Sequence, residues 1–196
     1  VALYDRGTAI EALSGTERLA EIVKPFYNRH WDGEHGFVYL PPDAPAGRPA
    51  ATAAGRVVHF SHPVFTSYRH HAQVPVRDMV GALVRRLMPD PLVRVSGLPS
   101  FGRATVTEQE CRRIVHLLAY VPERRGDMEM IEEPIPVRGA EAALRTDGRR
   151  YVRAYMAPGR EPLDIAVKDG YAVVRVPDFD GYRMVVFEEE GADSGL

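Results

Sequence analysis

The grammar of this chain changes at Leu92. Upstream, apolar residues recur at helical spacing: Leu19, Ile22, Val23 and Phe26, then Val76, Met79, Val80, Leu83, Val84 and Leu87. Downstream they fall into short β-rich runs at 92–95, 104–107, 113–121, 135–137, 151–156, 165–167, 171–176 and 182–187. The turn pairs Asp147-Gly148, Pro158-Gly159, Asp169-Gly170 and Asp180-Gly181 punctuate these runs. Short strands at such spacing predict an antiparallel β-sandwich over 92–190. Asp169-Gly170 predicts a two-residue hairpin in which Lys168 ends the first strand. The acidic end, 191–196, reads as a disordered tail.

The first 91 residues read differently. Ser14-Gly15-Thr16-Glu17 has the form of a capping box and predicts a helix over 15–23, stopped by Pro25. Residues 28–55 read as a long loop: a polar and aromatic stretch to Tyr39, then an Ala- and Gly-rich run broken by Pro41, Pro42, Pro45 and Pro49. Residues 57–61 suit a buried strand, and 76–88 a helix ended by Pro89-Asp90-Pro91, with Arg85 and Arg86 where cations complement the helix dipole. The class expected is α+β, an α/β segment followed by the sandwich. Two helices and one or two strands cannot cover both faces of a parallel sheet. The segment therefore reads as the end of a larger domain, with an exposed parallel edge that another copy covers in a homo-oligomer.

Composition excludes several function classes. Lys+Arg is 25 against 27 Asp+Glu, a formal charge of -2, so no global field favours nucleic acid or an anionic membrane. The basic residues are nearly all Arg, Lys24 and Lys168 excepted, and their even spread reads as coding bias. No apolar run reaches the roughly 18 residues of a membrane span, and no signal-peptide pattern opens the chain. One cysteine, Cys111, permits no intrachain disulfide. The chain reads as cytoplasmic. No phosphate loop, dinucleotide fingerprint or zinc spacing is present, so no cofactor is expected.

Three groups of residues carry candidate chemistry. His59, His62, His70 and His71 are the densest histidines, but they lack the spacing of a metal site. Ser61 and His62 follow a strand whose C-terminal end, in an α/β sheet, points toward a ligand crevice. The Gly-x-Ser-x-Gly elbow that would expose Ser61 as a nucleophile is missing. In the 28–39 stretch, Trp31, Phe37 and Tyr39 could stack on a sugar ring, with His35 or Glu34 bonding its hydroxyls. The competing and favoured reading has these aromatics packing against another subunit or domain. Glu108, Glu110, Glu123, Asp127, Glu129, Glu132 and Glu133 read as solvated acids in sandwich turns rather than as a catalytic carboxylate pair.

Three stretches together resemble a known family. The block from Ala50-Ala51-Thr52 through Gly55-Arg56-Val57-Val58-His59-Phe60, with Arg77-Asp78-Met79-Val80, Leu83 and Leu87, resembles the last strand and helix of the β-galactosidase trimerisation domain. Arg113-Ile114-Val115-His116-Leu117-Leu118-Ala119-Tyr120 and the stretch from Gly181-Tyr182 to Phe187 resemble strands of the small sandwich that follows it. The resemblance implies a flavodoxin-like fold, related to class I glutamine amidotransferases, in a glycoside hydrolase of the family 42 or fucosidase-like kind. It implies that the catalytic carboxylates lie in a β/α barrel outside this chain. Catalytic residues are then expected nowhere here. The partners expected are the rest of the parent glycosidase or a neighbouring subunit, with a sugar within reach of Trp31, His35, Tyr39, Ser61 and His62. The alternatives are a carbohydrate-binding module stacking its ligand on Trp31 and Tyr39, and, more remotely, an amidotransferase-like hydrolase using Cys111.

Overall fold

A computed structural model of the chain describes residues 2–26 and 41–190. They form two compact units, one within 1–89 and the other within 90–196. The α+β class and its β-sandwich are both present.

The first unit contains β1 (Glu17–Pro25), β2 (Pro42–Ala54), β3 (Val57–Phe60), α1 (Val64–His71) and α2 (Val74–Leu87). The three strands pair antiparallel in the order β1-β2-β3, so there is no parallel edge among the described residues. The helix expected over 15–23 is a strand instead. Gly15 adopts φ +82°, outside the helical region, and Thr16 closes a turn back to the Leu13 carbonyl through its amide (3.0 Å) and its hydroxyl (2.7 Å). Ser14 therefore caps nothing. The supposed loop is half strand: Pro42, Pro45 and Pro49 sit within β2, opposite the repeated register shifts of β1. Proline cannot donate to a ladder, and strands tolerate it where pairing is irregular.

The strand expected to be buried, β3, is only half-buried, because it lies at the sheet edge and turns back from β2 through Gly55 at φ +54°. Helix α2 forms as expected, with Pro75 in its first turn and Val76 fully buried. Helix α1, which carries His70 and His71, is not among the elements expected from the sequence. It spans eight residues and buries only Val64 and Ser67, too few points to display a period.

The second unit contains β4 (Val93–Ser96), β5 (Arg103–Gln109), β6 (Arg112–Leu118), β7 (Glu123–Arg125), β8 (Met128–Met130), β9 (Pro136–Val137), β10 (Glu141–Arg145), β11 (Tyr151–Ala157), β12 (Glu161–Leu163), β13 (Ala166–Lys168), β14 (Tyr171–Arg175), β15 (Phe179–Asp180) and β16 (Tyr182–Glu189). A four-stranded sheet, β13-β14-β10-β4, faces a five-stranded one, β12-β11-β16-β6-β5. Their inward residues interleave into one core: Ala142, Leu144, Ala172 and Val174 from the first, and Val115, Leu117, Val185 and Phe187 among those from the second. The Asp169-Gly170 hairpin forms with Lys168 opposite Tyr171 and φ of +50° and +79° at the two turn residues, the double-positive turn that suits a twisted hairpin. Asp147-Gly148, with φ +50° and +80°, instead carries the chain from one sheet to the other.

Candidate functional site

Of the sequence candidates, Trp31, His35 and Tyr39 lie outside the described residues. Ser61 and His62 are brought together: Ser61 Oγ lies 2.8 Å from His62 Nδ1. Ser61 is 3% exposed. Its amide donates to the Ala50 carbonyl (2.9 Å) and its carbonyl accepts from the Thr8 amide (2.7 Å), so the residue stitches the N-terminal stretch to the end of β3. The same stretch crosses the imidazole closely. A Cβ on Gly7 would stand 2.6 Å from the His62 ring, so only glycine passes there. His59 is exposed on β3, while His70 and His71 are exposed on α1, where the His71 ring meets Tyr4 edge-on at 5.1 Å. Among the described residues no three His, Cys, Asp or Glu side chains converge as a metal site.

Of the candidate acids, Glu108, Glu123, Asp127 and Glu132 are paired with arginines. Glu108 lies within β5 rather than in a turn, and accepts from Arg149 (2.7 Å) while Arg113 stands 3.5 Å away. The Arg149 hydrogen bond is the chief reason its carboxyl is held below the ordinary range. Glu123, in β7, and Glu132 both pair with Arg125. Half-buried Cys111 takes φ +56° in the turn between β5 and β6, and its carbonyl accepts from the Glu189 amide at 2.9 Å.

The most developed polar surface went unnoticed in the sequence. It is the outward face of the five-stranded sheet. Cross-strand register sets Arg103, Leu118 and Tyr182 in one row, Thr105, His116 and Met184 in the next, then Thr107, Ile114 and Val186. His116 is clamped from both sides: Nε2 is 2.8 Å from Thr107 Oγ1, and Nδ1 is 2.7 Å from the Tyr182 hydroxyl. The His116 and Tyr182 rings lie nearly parallel, their centroids 6.1 Å apart. Hydroxyls both donate and accept, so either neutral tautomer of His116 satisfies both contacts.

At the far end of this face Glu188, 7% exposed, accepts from the Tyr155 hydroxyl (2.7 Å) and from Arg153 (2.7 Å from Nε). Burial pushes the Glu188 carboxyl up, but the Tyr155 and Arg153 hydrogen bonds and the charges of Arg153 and Arg112 outweigh it and hold it below its usual value. Burial and the facing carboxylate together push the Tyr155 phenol up. One end of the face is therefore closed under arginines. The other opens into a groove of about 380 Å³ lined by Arg103, Thr105, Thr107, His116, Leu118 and Tyr182. The legible signal would have been the alternation in 112–118, which puts His116 outward between buried Val115 and Leu117.

An α+β unit and an antiparallel sandwich of this build are similar to a portion of a solved glycoside hydrolase. The match is to alpha-L-fucosidase isoenzyme 2 from Paenibacillus thiaminolyticus, with TM-score 0.83 and 26% identity over 96% of this chain. The chain spans only 29% of that fucosidase's length. No protein-family model and no curated protein sequence matches it.

Proposed function

We propose that this chain is a non-catalytic portion of a carbohydrate-active hydrolase, bracing a catalytic barrel that lies outside it. The observation that carries this reading is the likeness to the fucosidase over nearly the whole chain. A β/α barrel needs eight strand–helix pairs, and the described residues hold two helices. Three of the seven acids weighed as a catalytic pair, Glu108, Glu123 and Glu132, lie within 3.0 Å of an arginine, which supports the same reading.

The parent enzyme would release a terminal α-L-fucosyl or β-D-galactosyl residue in the cytoplasm. The fucosyl alternative follows the structural neighbour, and the galactosyl one the sequence resemblance. The first unit would serve subunit contact or wall the sugar site, as the trimerisation-domain resemblance implies. The test compares the complete gene product with the 196-residue chain on p-nitrophenyl α-L-fucoside and β-D-galactoside. Turnover by the complete product alone is the expected result. Turnover by the short chain would overturn the reading.

A further inference from the structure

The geometry points to a saccharide-binding groove on the outward face of the five-stranded sheet, built from His116, Tyr182, Arg103, Thr105 and Leu118. It goes beyond the bracing role proposed above, since it gives this chain a ligand of its own, held by residues of the second unit that the sequence did not single out.

The first argument is pre-organisation. An exposed strand histidine ordinarily samples several rotamers. His116 is held at both ring nitrogens by side chains from β5 and β16. That network fixes the Tyr182 ring beside it, which lowers the ordering cost of binding. The second is chemistry. The groove offers aromatic and aliphatic surface (Tyr182, Leu118) next to hydroxyls (Thr105, Thr107) and the fork of a guanidinium (Arg103). The apolar C–H face of a pyranose takes such a surface, and its vicinal hydroxyls match a two-pronged donor. No carboxylate lines the groove, and the Arg103 guanidinium makes no ion pair or hydrogen bond among the described residues. Its donors are therefore available.

The third argument is size. About 380 Å³ lies within the ~300–1,000 Å³ of small-molecule sites. A second hollow of about 470 Å³ adjoins it, sharing Arg103 and Leu118 and adding Phe101, Tyr120 and Ile131. Phe101 and Tyr120 are 38% and 36% exposed, so both present ring surface to it. The two hollows meet at Arg103 and Leu118, with His116 and Tyr182 lining the first and Phe101 and Tyr120 the second. A chain of two or more sugar rings fits them better than a single ring.

The probes are L-fucose, D-galactose, 2′-fucosyllactose and, as an anion control, inorganic phosphate, titrated into the intact chain with two-dimensional NMR and calorimetry as readouts. Binding of the trisaccharide more tightly than either monosaccharide, with shifts centred on 103–107, 116–118 and 182, is expected. Arg103→Ala and Tyr182→Leu should each weaken it by about tenfold, the worth of one good contact. Phe101→Ala should weaken the trisaccharide and leave the monosaccharides unchanged. Trp31→Ala should leave all of them unchanged. Phosphate binding without saccharide binding overturns the proposal, as does an absence of binding by all three saccharides. Loss of binding in Trp31→Ala but not in the groove variants overturns it too, whatever the parent enzyme hydrolyses.

Discussion

The Tyr155 hydroxyl donates a 2.7 Å hydrogen bond to Glu188 across the β11–β16 pair, on the side of the sheet that faces away from the core. Arg153 takes the other carboxylate oxygen. A buried charge is tolerated there because both its oxygens are satisfied, and the same contacts make a closed polar cluster over two interior strands of the sheet.

Glu188→Ala leaves the Tyr155 hydroxyl and the Arg153 guanidinium without their acceptor. Hydrogen bonds to a charged, largely buried group carry about 1.5–3 kcal/mol each, and the exposure of Arg153 (52%) discounts its share. The expected loss is about 2 kcal/mol in urea unfolding, with Glu188→Gln losing less. An unchanged midpoint for the alanine variant would contradict the cluster.

Stability should fall in acid. Glu188 is held low against the opposing push of burial, while Asp147 is held low first by the Arg145 hydrogen bond and Glu108 first by that of Arg149. Groups lowered in the folded state contribute stability that is complete above the unfolded carboxylate range, near pH ~4, and that disappears as pH drops through their folded values. Calorimetric Tm should hold from pH 7 to about 5 and decline below about 4. The Glu188→Gln variant should show a shallower decline.

Phe187 and Leu117 are both fully buried between the sheets. Phe187→Ala should cost about 3–5 kcal/mol and Leu117→Ala about 2–5, each the sum of lost transfer energy and a residual cavity. Denaturant melts of the two variants check this, and a loss below about 1 kcal/mol for either would place that side chain outside the core.

Two glycines separate backbone strain from collision. Gly170 has φ +79° and open space where a Cβ would stand, so Gly170→Ala should cost only the left-handed penalty of about 1–2 kcal/mol. Gly181 has φ +63°, but a Cβ there would lie 2.3 Å from the Tyr120 ring. Gly181→Ala should therefore be the more damaging of the two in thermal melts. Equal losses would show that Tyr120 swings away freely.

Much of the second unit was legible because its strands carry their own evidence. In 112–118 every second residue is buried, and Asp169-Gly170 can adopt the two positive φ values a tight hairpin needs. Helix α2 was legible for the same local reason. Strand β10 was not: Glu141-Ala142-Ala143-Leu144-Arg145 has helix-forming composition, which pairing with β4 on one side and β14 on the other overrides. Strand β1 failed the same way. Leu19, Ile22, Val23 and Phe26 fit a helical stripe, yet β1 pairs with β2, from 17 residues along the chain (Pro25 with Pro42) to 36 (Glu17 with Ala53). Residues 27–40 hold three of the five sequence-chosen sugar contacts and lie outside the described part.

What local sequence determined, then, was every feature whose cause sits within a few residues: alternation, turn conformation, the stop at Pro89 and the apolar stripe of α2. Tertiary structure alone decided the site. Thr107 is nine residues from His116 and Tyr182 is 66, and only strand register sets the three on one face. A histidine's surroundings are a property of its neighbours in the sheet, and pairing energies between distant segments, which no local pattern encodes, choose those neighbours.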